Sequence, residues 1–265
     1  PSGERLRLTL RANTDGEVTL LAECGYSPGE PMELMQVVEG LSAVWHQPGG
    51  AGPVLIAGAP GLPESWGDET LDLSGAAFLQ VNRSAAALLE EHVMTVAGDV
   101  TGRRIVDAYC GVGLHARRLA RAGATVIGIE VDADAVAAAN GTAPPNASFI
   151  VGAVELALPG LLPADLVIVN PPRAGLAAEV PDALRAEPPA RVIYISCNPA
   201  TLARDLQRFG DTFELESLRS FDLFPQTAHV ETVVALRRNG SGGGREGERK
   251  EAENSKRKLK EADGS

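Results

Sequence analysis

RIVDAYCGVGLHARRLARAGATVIGIEVDADAVAAANGTAPPNASFIV, residues 104–151, alternates short apolar runs with helical stretches, and that alternation decides the fold. RIVDAY, ATVIGIE and ASFIV read as strands, while LHARRLARAG and ADAVAAAN between them read as helices. The pattern continues outward on both sides. Upstream, Arg83–Val96 has helical spacing. Downstream come a short helix, strand DLVIVN, helix LAAEVPDALRAE, strand RVIYIS and helix ATLARDLQRF. Strands separated by helices at this spacing build a parallel sheet covered on both faces. The last two strands, expected near Phe213–Ser220 and Val230–Leu236, follow one another without a helix, so at least one pairs antiparallel. The expected fold class is α/β: a Rossmann-like, mostly parallel seven-stranded sheet with an antiparallel strand near one edge.

The sequence before this domain has another character. RLRLTLR and EVTLLAE alternate around Asn13-Thr14-Asp15-Gly16, a hairpin signal. PMELMQVVEGL (31–41) has helical spacing, and short strands are expected near Ser42–His46 and Val54–Ile56. Dense Gly and Pro from Pro48 to Gly67 read as loop. Residues 1–75 are thus a small α+β region and 76–237 the α/β domain. Residues 238–265, glycine-rich and then mixed in charge, hold too few apolar groups to offset ordering entropy and are expected to be disordered.

Composition narrows the function classes. Nothing approaches the roughly 18–20 unbroken apolar residues of a membrane span. The opening PSGERLRL has neither an initiator Met nor a leader pattern and reads as a fragment or processed chain. Cys24, Cys110 and Cys197 form no disulfide framework and no CxxC pair, so no metal or iron–sulfur cluster is expected and a reducing cytoplasm is the natural setting. The net charge is −11, and before Arg238 the chain holds 16 basic and 29 acidic residues, with every Lys in the tail. Phosphate binding normally needs a basic footprint, so any strong grip on nucleic acid must be local or come from elsewhere.

Two loops carry the chemistry. Asp107-Ala108-Tyr109-Cys110-Gly111-Val112-Gly113 ends one strand and opens a helix, and its glycines allow a ligand close to the backbone. Glu130 closes the next strand, where an acid accepts hydrogen bonds from ribose hydroxyls. The loop lacks the third glycine of the dinucleotide fingerprint and a basic residue for pyrophosphate, which favours S-adenosylmethionine over NAD. Ser196-Cys197-Asn198-Pro199 sits between a strand and a helix N-terminus, which favours negative charge on a thiol. Asn170–Gly175 (NPPRAG) follows another strand end, and Phe221–Glu231 (FDLFPQTAHVE) leads into the last strand.

FLQVN (78–82), DAYCGVG, GIE, NPPRAGL, YISCNPATLARDL and FDLFPQTAHVE occur in the order seen in the RNA 5-methyluridine methyltransferases, and residues 77–237 resemble that family. The opening strands, LRLTLRANTDGEVTLL, resemble its central RNA-facing region. The resemblance implies a class I methyltransferase fold, S-adenosylmethionine as cofactor, and a tRNA or rRNA partner. It implies Cys197 as the nucleophile and Glu231 as the base, with Gln80, Tyr109, Gly111, Gly113, Glu130 and Asn170 at the cofactor. Phe78 is a candidate base-stacking residue, and His229 fits a structural hydrogen bond better than proton transfer. Asn170 departs from the family's Asp and cannot carry charge or take up a proton. Leu114 replaces a residue that is often polar. The family's N-terminal RNA-binding barrel has no counterpart here.

Two other readings stand beside this one. Asn170-Pro171-Pro172 matches the signature of methyltransferases acting on exocyclic amines of nucleic-acid bases, but Arg173 follows where those enzymes place an aromatic residue. A truncated RNA-associated module, folded around the cofactor yet inactive alone, would account for the missing barrel and for Asn170.

Overall fold

The computed structural model describes residues 6–25, 29–49, 52–66, 69–74, 82–227 and 230–240. Gln80, Phe78, His229 and most of the tail lie outside them.

In the first region, β1 (Arg7–Ala12) and β2 (Val18–Glu23) form the expected hairpin. The Asn13 side chain closes its turn by accepting from the Asp15 and Glu17 amides. α1 (Pro31–Val37) then crosses to β3 (Leu41–Gln47), which pairs parallel to β2, and β4 (Val54–Gly58) completes the sheet in the order β1-β2-β3-β4. The Gly/Pro-rich stretch departs from expectation. β5 (Gly61–Trp66) and β6 (Glu69–Ser74) form a hairpin there. Pro63 on β5 is tolerated because a two-stranded sheet leaves each strand one unpaired side.

The remaining elements follow the predicted alternation. In chain order they are α2 (Arg83–Ala97), β7 (Arg104–Ala108), α3 (Leu114–Arg121), β8 (Thr125–Glu130), α4 (Ala133–Gly141) and β9 (Ala147–Val151). Then come α5 (Val154–Ala157), β10 (Leu166–Val169), α6 (Glu179–Ala186), β11 (Arg191–Ser196), α7 (Pro199–Arg208), β12 (Phe213–Phe221) and β13 (Glu231–Arg238). The sheet order is β12-β13-β11-β10-β7-β8-β9. β13 runs antiparallel to both neighbours, and the other pairings are parallel.

Local chemistry explains the boundaries. α2 begins where the Asn82 side chain accepts the Ala85 amide, and ends at Gly98 with φ +71°. Its Ala86, Leu89, Val93 and Ala97 are buried at helical spacing. β10 (LVIV) is buried throughout, as befits a central parallel strand. Two cores result. One lies between the sheet and α2–α4, around Val93, Ile105, Leu119 and Ile168. The other lies under α5–α7, around Leu158, Val167, Leu184 and Tyr194.

A buried charged clamp joins the two regions. Glu64 on β5, 1% exposed, meets Arg11 of β1 at 3.1 Å and Arg83 of α2 at 2.7 Å. Arg83 also donates to the Ala12 carbonyl. The clamp therefore anchors the start of α2, immediately after the segment that holds Gln80.

Candidate functional site

β8 and β10 flank β7 on opposite sides, so the helices that follow these strands diverge and leave a crevice at their carboxyl ends. The candidate residues lie along this edge on neighbouring strands: Glu231 on β13, Cys197 after β11, Asn170 after β10, the Tyr109–Gly113 loop after β7, and Glu130 on β8. Strand residues alternate between faces. Ile105, Val126, Leu166, Ile168, Ile193, Ile195 and Val233 face the α2–α4 core. The same alternation assigns Glu130, the last residue of β8, and Glu231, the first of β13, to that face.

Strand register brings the segments of the cysteine and the carboxylate together. Ser196 is paired with Thr232 in the β11–β13 ladder, and β13 runs the other way. Cys197 follows Ser196 directly, and Glu231 directly precedes Thr232. On its other flank Glu231 pairs with Phe221 of β12. Cys197 is half-buried, and Glu231 is 6% exposed. Cys197 immediately precedes the α7 cap, where Asn198 accepts the Ala200 amide and Ser196 Oγ accepts the Asn198 amide.

The NPPRAGL loop is fastened to α7. Asn198 and Thr201 donate to the Arg173 carbonyl, and Arg204 donates to the Ala174 carbonyl. Asp205, fully buried, accepts the Leu176 amide and the Tyr194 hydroxyl on one oxygen, and Arg204 and Arg208 on the other. Burial first, and then this carboxylate, raise the Tyr194 pKa, so its hydroxyl stays a donor. Gly175, at φ +80°, passes so close that a Cβ would stand 2.4 Å from Asp205 Oδ2. Asp205→Ala is expected to cost about 3–5 kcal/mol, because it leaves a buried hydroxyl and amide without an acceptor and two guanidinium groups unpaired. Urea unfolding measures this, and a loss below about 1 kcal/mol would contradict it.

The glycine loop divides its labour. Gly111 has φ +54° and nothing within 4 Å of where a Cβ would stand, so that side of the loop is open to a ligand. Gly113 is a packing residue: it caps α3 at φ +80°, and a Cβ would come 2.3 Å from the Phe149 ring. Glu130 accepts the Gly111 amide with one oxygen, and the Val131 and Asp132 amides with the other. A carboxylate offers about four acceptor directions, so room for another donor remains. Asn170 is exposed at the rim, its amide bonded to the Ala108 carbonyl.

Tyr109 departs from the alternation. Its left-handed φ of 62° lets the half-buried ring pack against the α5–α7 core. Burial, then Glu155 and Asp205, push its phenol up to about 12. Such a conformation is strained for an aromatic residue, and strain of this kind clusters at ligand sites. Cys110 on the same loop is a poor nucleophile candidate, since burial and then Asp107 and Glu130 hold its thiol far above the ordinary range. Sequence reasoning missed Asp205, Glu90 and His115, which nothing in their spacing marks, and read Asp107 only as the start of the glycine loop.

Among the described residues, no helix is long and apolar enough to cross a membrane, and no group of three His, Cys, Asp or Glu side chains is placed to hold a metal.

Comparison with known proteins adds three findings. Residues 162–239 match the family model described as tRNA (uracil-5-)-methyltransferase. An uncharacterized RNA methyltransferase of Bacillus cereus is 37% identical over 190 residues, covering 68% of this chain and 41% of that protein. One from Gloeobacter violaceus is 43% identical over 167 residues, covering 61% of this chain and 36% of that protein. The chain therefore spans about two fifths of the length of such curated relatives. Among solved structures, Pyrococcus abyssi tRNA (uracil-54, C5)-methyltransferase in complex with S-adenosyl-L-homocysteine superimposes with a TM-score of 0.68 at 26% identity, over 87% of this chain and 59% of that one. The class I methyltransferase fold expected from the sequence is the fold observed.

Proposed function

We propose that this chain, whose residues 162–239 match the tRNA (uracil-5-)-methyltransferase family model, methylates carbon 5 of a uridine in RNA from S-adenosylmethionine through a covalent bond to Cys197. The observation that supports this reading is the Ser196–Thr232 register, which brings the segments carrying Cys197 and Glu231 together at the sheet edge where the glycine loop also lies.

Gly111, Glu130, Tyr109 and Asn170 would hold the cofactor, together with Gln80. The open side of Gly111 and the spare acceptor capacity of Glu130 fit a nucleoside with ribose hydroxyls. When bound, S-adenosylmethionine supplies an electrophilic methyl carbon.

The residues of this chain solve the other half of the problem. Carbon 5 of uracil is a weak nucleophile. The Cys197 thiolate adds to carbon 6, and the electron pair of the 5,6 double bond moves onto the carbonyl as an enolate. Carbon 5 is then electron-rich enough to accept the methyl group. Glu231 removes the proton left on carbon 5, the 5,6 double bond re-forms, and the sulfur–carbon bond breaks to release the thiolate. A stacked base cannot reach these groups, so the uridine must come from a loop or be flipped out.

RNA containing 5-fluorouridine tests this route. Fluorine in place of the carbon 5 proton leaves Glu231 nothing to remove, so the full-length protein is expected to accumulate an RNA adduct that survives denaturing electrophoresis. An adduct that persists in Cys197→Ala would refute the assignment. So would methylation of ordinary RNA without any adduct on the fluorinated one. Exocyclic-amine transfer needs no cysteine and predicts none.

A further inference from the structure

The glycine loop stands on a buried group of charges that the proposed reaction does not use. Asp107 on β7 is fully buried; its Oδ2 accepts the Ala116 amide at 3.1 Å in the first turn of α3, and its Oδ1 has no hydrogen-bond partner. His115, next to Ala116 and also buried, places Nδ1 3.2 Å from Glu90 Oε1 on α2. This contact is an ion pair when the imidazole is protonated. Arg118 of α3 lies 3.7 Å from the other Glu90 oxygen. Glu130 on β8 is the remaining charged group acting on Asp107.

An imidazolium in the first turn of a helix opposes the helix dipole, and burial disfavours it further. The carboxylates outweigh both. Burial lowers the His115 pKa, but the charges of Glu90 and Asp107 carry it up to about 9. Burial pushes Asp107 up to about 6, against the opposing pull of His115 and the Ala116 amide. At neutral pH His115 is therefore positive between two negative groups.

We infer that the Glu90–His115 ion pair positions the glycine loop, pinning the first turn of α3 to α2 and so aiming the Gly111 side of the loop at its ligand. His115 follows Gly113, the α3 cap, by two residues, and α2 begins directly after the Gln80 segment. The pair thus ties the start of α3, next to the glycine loop, to the middle of α2. The identity of the ligand rests on the proposed function; the brace itself does not.

The pH dependence follows. His115 is raised above its ordinary 6.5, so its contribution is complete below that value and is lost as pH rises through about 9. Asp107 is raised as well, but its contribution is lost between about 3.8 and about 6, outside that window. Loss of an alkaline change in a variant without the pair assigns that change to His115.

The test measures S-adenosylhomocysteine affinity and the thermal midpoint of the full-length protein across this alkaline window. The double variant Glu90→Leu with His115→Leu, an apolar replacement of similar volume, is the comparison. In the parent, affinity is expected to fall at least about fivefold as His115 loses its proton, with the midpoint falling alongside. The double variant is expected to bind more weakly throughout and to lose this pH dependence. A flat parent profile, or a variant that tracks the parent, would overturn the inference. Imidazole NMR on the parent decides the matter even if the variant does not fold. A His115 midpoint near 9 supports the pair, and one at or below 6.5 refutes it. A protein that binds no S-adenosylhomocysteine at any pH would refute the ligand, while the NMR titration and thermal profile still judge the brace.

Discussion

Cys197→Ala is expected to reduce methyl transfer to RNA by at least about 10³-fold while leaving S-adenosylhomocysteine affinity within about threefold. The size follows from the substrate. Without addition at carbon 6, the uracil ring has no enolate to make carbon 5 nucleophilic, and neither the glycine loop nor Glu231 can substitute. The selectivity follows from position. Cys197 follows β11, whereas Gly111 follows β7 and Glu130 ends β8, with β10 between. Methyl incorporation into bulk tRNA and rRNA, paired with calorimetry on the same preparation, checks both halves. Equal incorporation by variant and parent would sink the covalent mechanism. An inactive parent that still binds cofactor would favour a module that needs the remainder of a longer protein.

Glu231→Gln is expected to give a different failure. Addition and methyl transfer remain possible, but an amide does not take the proton from carbon 5, so the thiolate cannot leave. Turnover should fall by about 10²–10⁴-fold, the usual worth of a positioned general base. The distinguishing sign is accumulation: with ordinary RNA and S-adenosylmethionine, a covalent protein–RNA species should build up that the parent resolves. Gln preserves the volume of Glu at this buried position, so thermal unfolding should change little beside the kinetic effect. Turnover within tenfold of the parent, with no trapped species, would remove Glu231 from the base role. Together the two variants separate bond making from bond breaking. One never forms the adduct, and the other fails to release it.

The two glycines of the loop illustrate how far sequence reading reaches. A GxG turn after a strand points to a ligand site, but does not say which glycine faces the ligand. The structure divides them: Gly111 opens outward, and Gly113 is needed because Phe149 from β9 lies against it. The Pro48–Gly67 stretch went the other way. Its glycines and prolines suggested loop, yet β5 and β6 pair as a hairpin whose Glu64 receives Arg11 and Arg83. Local propensity yielded there to pairing and to a buried charged clamp. Asp205 was invisible for a related reason. An acid in the helix PATLARDLQR looks like a solvated surface residue until Tyr194 and Leu176 are folded onto it.

By itself the sequence determined the order of strands and helices, the position of the glycine loop, and the chemical types at the sheet's carboxyl edge. These are written in short-range periodicity and in which residues tolerate a turn or a cap. Only the tertiary structure decided that Ser196 pairs with Thr232, and so that the distant segments carrying Cys197 and Glu231 lie side by side. Only it decided that Glu90 and Asp107 lie where they raise the His115 pKa. Register depends on long-range packing of whole strands, and charge state depends on burial and on carboxylates brought from other elements. Neither quantity exists until the chain has folded.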